Sequence, residues 1–299
     1  MTTPQDVAVA DALPALFPTV RQRGRIAIFI RRHPTIVVGG AFLLALLLIA
    51  VFAPWLGTVD PTALAPARRT RPPSAQYWFG TDMLGRDVYS RVLFGTRVSL
   101  FVGFSVAILA STIGLLIGII AGFVRPLDTI LMRVMDGLMA IPGILLAIAL
   151  MALTRGSVAN VIIAISVSQI PQVARLVRSG VLTLREQPYV EAAIASGTRL
   201  PKILWLHVVP NALAPLAVQA TFICAAAMIT EATLSFLGAG TPPSIPSWGN
   251  IMAEGRAIWQ VKPYIVFFPA IFLTITVLAV NMLGDGMRDA LDPRLAKSI

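Results

Sequence analysis

The fold of this chain is decided by a polar stretch between two apolar segments, which reads Arg185-Glu186-Gln187-Pro188-Tyr189-Val190-Glu191-Ala192-Ala193-Ile194-Ala195-Ser196-Gly197-Thr198-Arg199-Leu200-Pro201. Pro188 suits a first helical turn, and Gly197 suits the left-handed residue that ends a helix. Val190, Ala193 and Ile194 share one helical face, which also takes in Gly197. The stretch therefore predicts a short amphipathic helix on a loop of a membrane protein. A second helical turn is expected from Pro201, before apolar residues resume near Val208.

Two roles are open for this loop helix. A helix that lies in the lipid headgroups has the same pattern of apolar and polar residues. The other role is a projection that docks into another protein, because small residues such as Ala192 and Ala193 allow close packing.

The composition places the chain in a bilayer. Of its 299 residues 57% are hydrophobic and 13% are charged, whereas soluble domains carry roughly 25% charged residues. The net charge of +10 is spread over loops, so membrane topology explains it better than nucleic-acid binding. Lys and Arg number 15 in the segments that we place in the cytoplasm and 9 in the outer loops, which predicts cytoplasmic N- and C-termini.

Six apolar segments predict an all-α polytopic membrane protein, and they lie at 36–55, 98–124, 130–153, 158–177, 213–236 and 264–283. The chain accordingly divides into a cytoplasmic tail, a first span, an external loop, a five-helix core that contains the loop 185–210, and a second cytoplasmic tail. These parts are residues 1–35, 36–56, 57–97, 98–290 and 291–299.

Polar residues inside the spans are candidates for a translocation path, since polar groups at membrane depth face protein or water rather than lipid. The candidates are Ser166, Ser168, Gln169, Gln219 and Glu231. Hydrogen bonding to neighbouring helices explains each Ser and Gln equally well. For Glu231 we favour a paired or hydrogen-bonded carboxylate near the outer boundary over a contact with a cationic group of a solute.

Motifs for catalysis and for metal binding are missing from the sequence. Only three lysines occur and none follows a glycine, so the chain lacks the phosphate-binding loop of ATPases. One cysteine, Cys224, and two histidines, His33 and His207, make no familiar zinc pattern. Serine-hydrolase and zinc-protease motifs are also absent. We therefore predict that the chain is not an enzyme and holds no metal or other cofactor.

The spacing in and after the loop helix resembles a known family. Glu191-Ala192-Ala193 is followed after three residues by Gly197, and after nine more by His207-Val208-Val209-Pro210. This spacing is similar to the Glu-Ala-Ala loop of permease subunits of binding-protein-dependent ATP-binding cassette (ABC) importers. His207 and Val209 depart from the Ile-x-Leu-Pro that many members carry, and the spacing is unchanged. The segment 78–91, with Gly-Thr-Asp-x-x-Gly-Arg-Asp-x-x-Ser-Arg, resembles the signature of one permease type in dipeptide, oligopeptide and nickel importers.

The resemblance implies the fold of a type I ABC importer permease in the bacterial cytoplasmic (inner) membrane. The implied partners are a second homologous permease subunit, two ABC ATPase subunits that carry ATP and Mg²⁺, and an external solute-binding protein. Residues expected to couple the chain to the ATPase are Glu191, Ala192, Ala193, Gly197 and Pro210. A secondary transporter or channel that works without ATP is the alternative, and a membrane scaffold is a third class. The solute is left open among dipeptides, oligopeptides, glutathione and nickel chelates.

Overall fold

The computed structural model describes residues 30, 32–154 and 156–291. The chain separates into two units, Met1–Pro34 and Thr35–Ile299. Nearly all of the two tails predicted at 1–35 and 291–299 lies outside the described residues. Regular structure in the described part is helical, apart from an isolated β-bridge between Thr81 and Asp87. The all-α prediction is confirmed.

The helices are described here in chain order. The α-helices of the described residues are α1 (Pro34–Phe52), α2 (Val88–Phe123), α3 (Arg125–Met139), α4 (Gly143–Ala152), α5 (Val158–Arg185), α6 (Pro188–Ala195), α7 (Leu200–Ile203), α8 (Val209–Phe236), α9 (Trp248–Gly255) and α10 (Tyr264–Leu291). Short 3₁₀ turns at Ala53–Trp55 and Pro66–Arg68 and a π-turn at Leu204–Val208 complete them. Five of these segments, containing α1, α2, α5, α8 and α10, are long and apolar enough to cross a membrane.

The third predicted span, 130–153, is corrected by the structure. It is not one helix, because α3 and α4 meet at a bend of 88°. Pro142 precedes α4 and has a ψ of 127°, which interrupts the helix. Most of α3 is exposed, with Met135 its only buried residue in the described chain. The pair counts as a sixth span only if both halves together cross the membrane.

The second span begins at Val88 rather than at 98, so the loop predicted to be external covers 57–87 and the helical core begins earlier than predicted. Asp87 starts the helix, since its carboxylate accepts from the Ser90 amide at 2.8 Å and from the Ser90 hydroxyl at 2.6 Å. The first turns of α2 contain polar residues, so hydropathy alone places the start of the helix too late. The helices α5 and α10 likewise run past their predicted ends, to Arg185 and Leu291.

The centre of the bundle is the contact between α2 and α5, which rests on glycine. Three glycines of α2, four residues apart, meet three valines of α5 at the same spacing: Gly114 with Val173, Gly118 with Val177 and Gly122 with Val181. A Cβ added at Gly118 would lie 2.7 Å from the Cβ of Val177. Small residues at this spacing let helix backbones approach closely in a membrane, where packing drives association.

Arg97 of α2 caps the end of α1. Its Nη2 donates to the Val51 carbonyl at 2.9 Å and its Nε to the Ala50 carbonyl. The Tyr89 hydroxyl donates to the Leu56 carbonyl at 2.9 Å just beyond. The last carbonyls of a helix have no partners within it, so these bonds fix the end of α1 against the start of α2.

Candidate functional site

The loop helix α6 has both of the ends that its sequence predicts. Pro188 occupies its first turn, and Gly197 has a φ of +73°. The Thr198 amide donates to the Ala193 carbonyl at 3.0 Å, and the Gly197 amide donates to the Ile194 carbonyl at 2.9 Å. This pair of bonds is a Schellman motif, which satisfies two of the last carbonyls of the helix and fixes its end.

Only part of the predicted apolar face of α6 is covered. Val190 is buried, whereas Ile194 keeps 52% of its surface exposed. Glu191 and Ala192 are also exposed, and a side chain added at Gly197 would meet open space. The helix is therefore anchored through Val190 and presents a small acidic and apolar surface to its surroundings.

A π-turn joins the loop to the membrane helix α8. Pro210 lies in the first turn of α8 and has no amide hydrogen to donate. Immediately before it, the Val209 amide donates to the Leu204 carbonyl, five residues back. The ring centroid of His207, within this turn, lies 5.7 Å from that of Tyr189 in α6. The ring contact links the loop helix to the start of a membrane helix.

A polar cavity of about 460 Å³ lies beside α6, where α2 and α3 meet the end of α5, and Glu191 lines it. Asp128, also in the lining, accepts from Arg178 Nε at 2.5 Å and from Arg178 Nη2 at 2.7 Å. Glu191 takes part in none of the ion pairs found among the described residues. In the same ranges no three His, Cys, Asp or Glu side chains are grouped to hold a metal ion.

The Ser and Gln candidates of the spans lie in two settings. Ser168, Gln169 and Gln219 are half-buried. Ser166 is buried, and its hydroxyl donates to the Ile162 carbonyl of its own helix at 2.7 Å. For all four residues a place in the translocation path stays a prediction.

Glu231 lies in a buried hydroxyl network at the C-terminal end of α8. Its Oε1 accepts from the Ser235 hydroxyl at 2.8 Å and from the Thr241 hydroxyl at 3.4 Å. The Asn250 amide of α9 donates to Thr241 Oγ1 at 2.9 Å, which ties α9 into the network. Within the described part of the chain Glu231 Oε2 has no partner. Glu231 is buried and hydrogen-bonded, as favoured from the sequence, and its place in a translocation path stays a prediction.

The segment 78–91 closes onto α9 through a buried ion cluster. Asp82 Oδ2 accepts from Arg86 Nε and from Arg91 Nη1, each at 2.7 Å. Glu254 of α9 pairs with both arginines. Asp82 and its two arginines are neighbours in the sequence, whereas Glu254 follows Arg86 by 168 residues and no local pattern indicates it. The cluster fastens the loop 57–87 to α9.

The sequence matches two known protein families. The family of binding-protein-dependent transport system inner membrane components matches residues 114–297. The N-terminal transmembrane domain of oligopeptide transport permease C matches residues 25–73.

Similar proteins cover most of the chain. A probable peptide ABC transporter permease protein, y4tQ of Sinorhizobium fredii, is 52% identical over 264 residues, which are 88% of this chain and 90% of the relative. The dipeptide transport system permease protein DppC of Alkalihalophilus pseudofirmus is 40% identical over 267 residues, or 89% of this chain and 88% of the relative. The glutathione transport system permease protein GsiD of Salmonella typhimurium is 42% identical over 269 residues, again 89% and 88%.

A solved structure shares the fold. An inward-facing structure of the MetNI methionine ABC transporter superposes with a TM-score of 0.56 and 22% identity, over 67% of this chain and 96% of that one. The matches to ABC permeases contradict the alternative of an ATP-independent transporter or channel. The chain belongs to the inner membrane components of binding-protein-dependent transport systems and is a multi-pass permease subunit of an ATP-driven importer.

Proposed function

We propose that the chain forms one half of an import path for peptides and pairs with a second homologous permease subunit. The support for peptides is that one relative is named for peptide transport, another for dipeptide transport and a third for transport of glutathione, itself a peptide. An external solute-binding protein delivers the solute in this proposal.

The loop helix α6 is the coupling element of the proposed mechanism. The observation that carries this role is a short helix with fixed ends that leaves Glu191 and Ala192 exposed, outside the membrane helices. Small side chains permit close approach to a groove on an ATPase subunit, and Glu191 is able to make a charge-assisted hydrogen bond at its rim. The Tyr189–His207 contact passes the motion to α8. Two ABC ATPase subunits bind ATP and Mg²⁺, since this chain has no phosphate-binding loop.

Orientation completes the proposal. The distribution of Lys and Arg favours cytoplasmic N- and C-termini. With that orientation α6 faces the compartment that contains ATP, and the loop 57–87 and the helix α9 face outside. The solute-binding protein then meets the external surface.

Purification of the whole importer tests partners and solute together. The tagged chain is expected to bring down a homologous permease, an ABC ATPase and, after addition, the solute-binding protein. Mass spectrometry of ligand released from the binding protein should identify a peptide. A complex without an ATPase would refute the coupling role of α6, and a ligand of another class would refute the assignment of peptides alone.

A further inference from the structure

The second half of α5 has two contrasting faces. One face is buried and apolar: Ile170, Val173, Ala174, Val177 and Val181. The opposite face carries polar residues, of which Ser168 is half-buried and the rest are exposed: Ser168, Gln172, Arg175, Ser179 and Thr183. We call this second set the polar face of α5. Its members recur at the spacing of a single helical stripe, which extends over roughly 22 Å of helix.

An ion pair lies in the middle of the polar face. Arg175 Nη2 is 2.6 Å from Asp136 Oδ1 of α3, and the two side chains are 51% and 56% exposed. Only one nitrogen and one oxygen take part in this pair, so Asp136 Oδ2 and the rest of the Arg175 guanidinium remain accessible to a ligand.

A neighbouring pair between the same two helices has a different character. Asp128 and Arg178 are joined by two hydrogen bonds and are 22% and 31% exposed. Two parallel bonds occupy both carboxylate oxygens, as in ion pairs that hold elements together. Two ion pairs therefore join α3 and α5. The Asp128–Arg178 pair leaves neither carboxylate oxygen free, whereas the Asp136–Arg175 pair is exposed and has atoms available for a ligand.

The break between α3 and α4 abuts the polar face. A Cβ added at Gly143, the first residue of α4, would lie 3.4 Å from the Cβ of Ser168. Interrupted backbone and charged side chains at membrane depth occur where they face protein or a water-filled cavity, not lipid. The bend, the polar face and the open ion pair thus point to water on one side of α5.

We propose that the polar face of α5, together with Asp136, lines the aqueous path between this chain and the second permease subunit. In this arrangement Arg175 meets the carboxylate of a zwitterionic, peptide-like solute and Asp136 meets its ammonium group. The proposal rests on the function proposed above, in which a second subunit closes the path.

Accessibility to thiol reagents tests the aqueous path without knowledge of the solute. The buried Cys224 is replaced by Ser, and single cysteines are placed at Gln172, at Ser179 and, as the matched control on the same helix, at the exposed apolar residue Ile163. The probes are membrane-impermeant methanethiosulfonates, applied to both sides of native membranes that contain the whole importer. Because the reactive thiolate forms in water, Gln172→Cys and Ser179→Cys should react at least about tenfold faster than Ile163→Cys.

The role of the ion pair is tested by the charge of the reagent. The readout is the rate at which Gln172→Cys reacts with a sulfonate-bearing reagent, divided by its rate with a trimethylammonium-bearing reagent. Adding Arg175→Gln should lower this ratio by about threefold to tenfold, because a positive charge is lost. Adding Asp136→Asn should raise the ratio, because a negative charge is lost. The matched control is the double variant Asp128→Asn/Arg178→Gln, which removes the neighbouring pair and should leave the ratio unchanged.

The outcomes separate this proposal from the proposed function. Equal reaction rates at Gln172→Cys, Ser179→Cys and Ile163→Cys would overturn the aqueous path, and a ratio insensitive to Arg175 and Asp136 would overturn their contact with charged solutes. Both readouts come from the membrane itself, whereas the proposed coupling to an ATPase is decided by copurification. The labelling experiment can therefore support or refute the aqueous path whatever the copurification shows about the ATPase.

Discussion

Gly197 ends the loop helix in a backbone conformation that other residues resist, with a φ of +73° and open space around it. A residue with a Cβ in this conformation costs about 1–2 kcal/mol, and Asn tolerates it better than most. We expect Gly197→Trp to assemble in the membrane but to lose at least about tenfold in transport per ATP hydrolysed, because the bulky side chain protrudes where the ATPase docks.

Measurement of transport and ATP hydrolysis in the same proteoliposomes checks this prediction. Gly197→Asn is the control and should retain more of the coupling. Wild-type transport by the Trp variant would refute the role of this residue.

Glu231 is predicted to serve structure and not solute recognition. Glu231→Gln keeps the acceptor for the Ser235 and Thr241 hydroxyls, so transport should remain close to wild type. Glu231→Leu removes the acceptor and should destabilise the protein by about 1–3 kcal/mol. Thermal unfolding in detergent and transport assays distinguish the two variants. A Gln variant that accumulates normally but transports nothing would show that the carboxylate acts on the solute.

The ends of the loop helix could be predicted from the sequence because single residues determine them. Pro188 and Gly197 act on their own turns, so the bounds of α6 follow from neighbouring residues alone. Other residues pair with partners that are far away in the chain. Glu254 pairs with Arg91, 163 positions away, and Arg175 pairs with Asp136, 39 positions away. A reading of local patterns has no access to such pairs.

Among the elements, the contact between α2 and α5 depends most on residue size. A methyl group at Gly118 would lie 2.7 Å from the Ala174 carbonyl oxygen and from the Val177 Cβ. Gly118→Ala should therefore destabilise the bundle by about 1–3 kcal/mol. Gly180→Ala on α5 meets open space and should be neutral or stabilising by up to about 1 kcal/mol, because Ala favours the helix.

Melting temperatures of the two purified variants test the packing of these helices. An equal effect of the two substitutions would contradict the close contact at Gly118.

The ion cluster between the loop 57–87 and α9 supports a second prediction for the elements. Glu254→Ala leaves the buried Arg86 and Arg91 with Asp82 alone, and loss of one partner from a buried charge group costs about 3–5 kcal/mol. Protease added to the purified protein should cut the loop 57–87 much faster in this variant. Glu186→Ala, at an exposed residue, is the control and should change nothing. Slow cleavage in both variants would show that the cluster does not hold the loop.

The break in the third span shows where prediction from hydropathy ends. Pro142 and Gly143 disfavour a continuous helix, yet the apolar residues on both sides suggest one span over 130–153. What separates α3 from the membrane pattern is its row of charges, of which Asp136 and Asp128 pair with Arg175 and Arg178 of α5. Periodicity in one segment cannot reveal a partner in another.

For the whole molecule, the decisive prediction concerns the side of the membrane on which α6 lies. A cysteine at the exposed Ser196, in a chain with Cys224 replaced by Ser, should react with an impermeant thiol reagent only from the cytoplasmic side. Labelling of inside-out and right-side-out vesicles measures this. Reaction only from the exterior would place α6 away from ATP and refute its coupling role.

The family and the number of apolar segments follow from the sequence because they depend on composition and on short fixed spacings. The arrangement of the helices does not, since the glycines of α2 reveal their role only against the valines of α5. The contact between the loop 57–87 and α9 likewise joins two parts of the chain that no motif connects.

The glycine contact between α2 and α5 limits how this subunit moves. Glycines of α2 meet valines of α5 on three successive turns, and two residues separate the end of α5 at Arg185 from the start of α6. In the proposed mechanism we expect a displacement of α6 to be transmitted along the 28 residues of α5, roughly 42 Å, with α2 turning together with it. Non-helical joints at 140–142 and 237–247 are among the places where the described chain bends, and stiffening either joint is expected to slow turnover while the helices themselves stay intact.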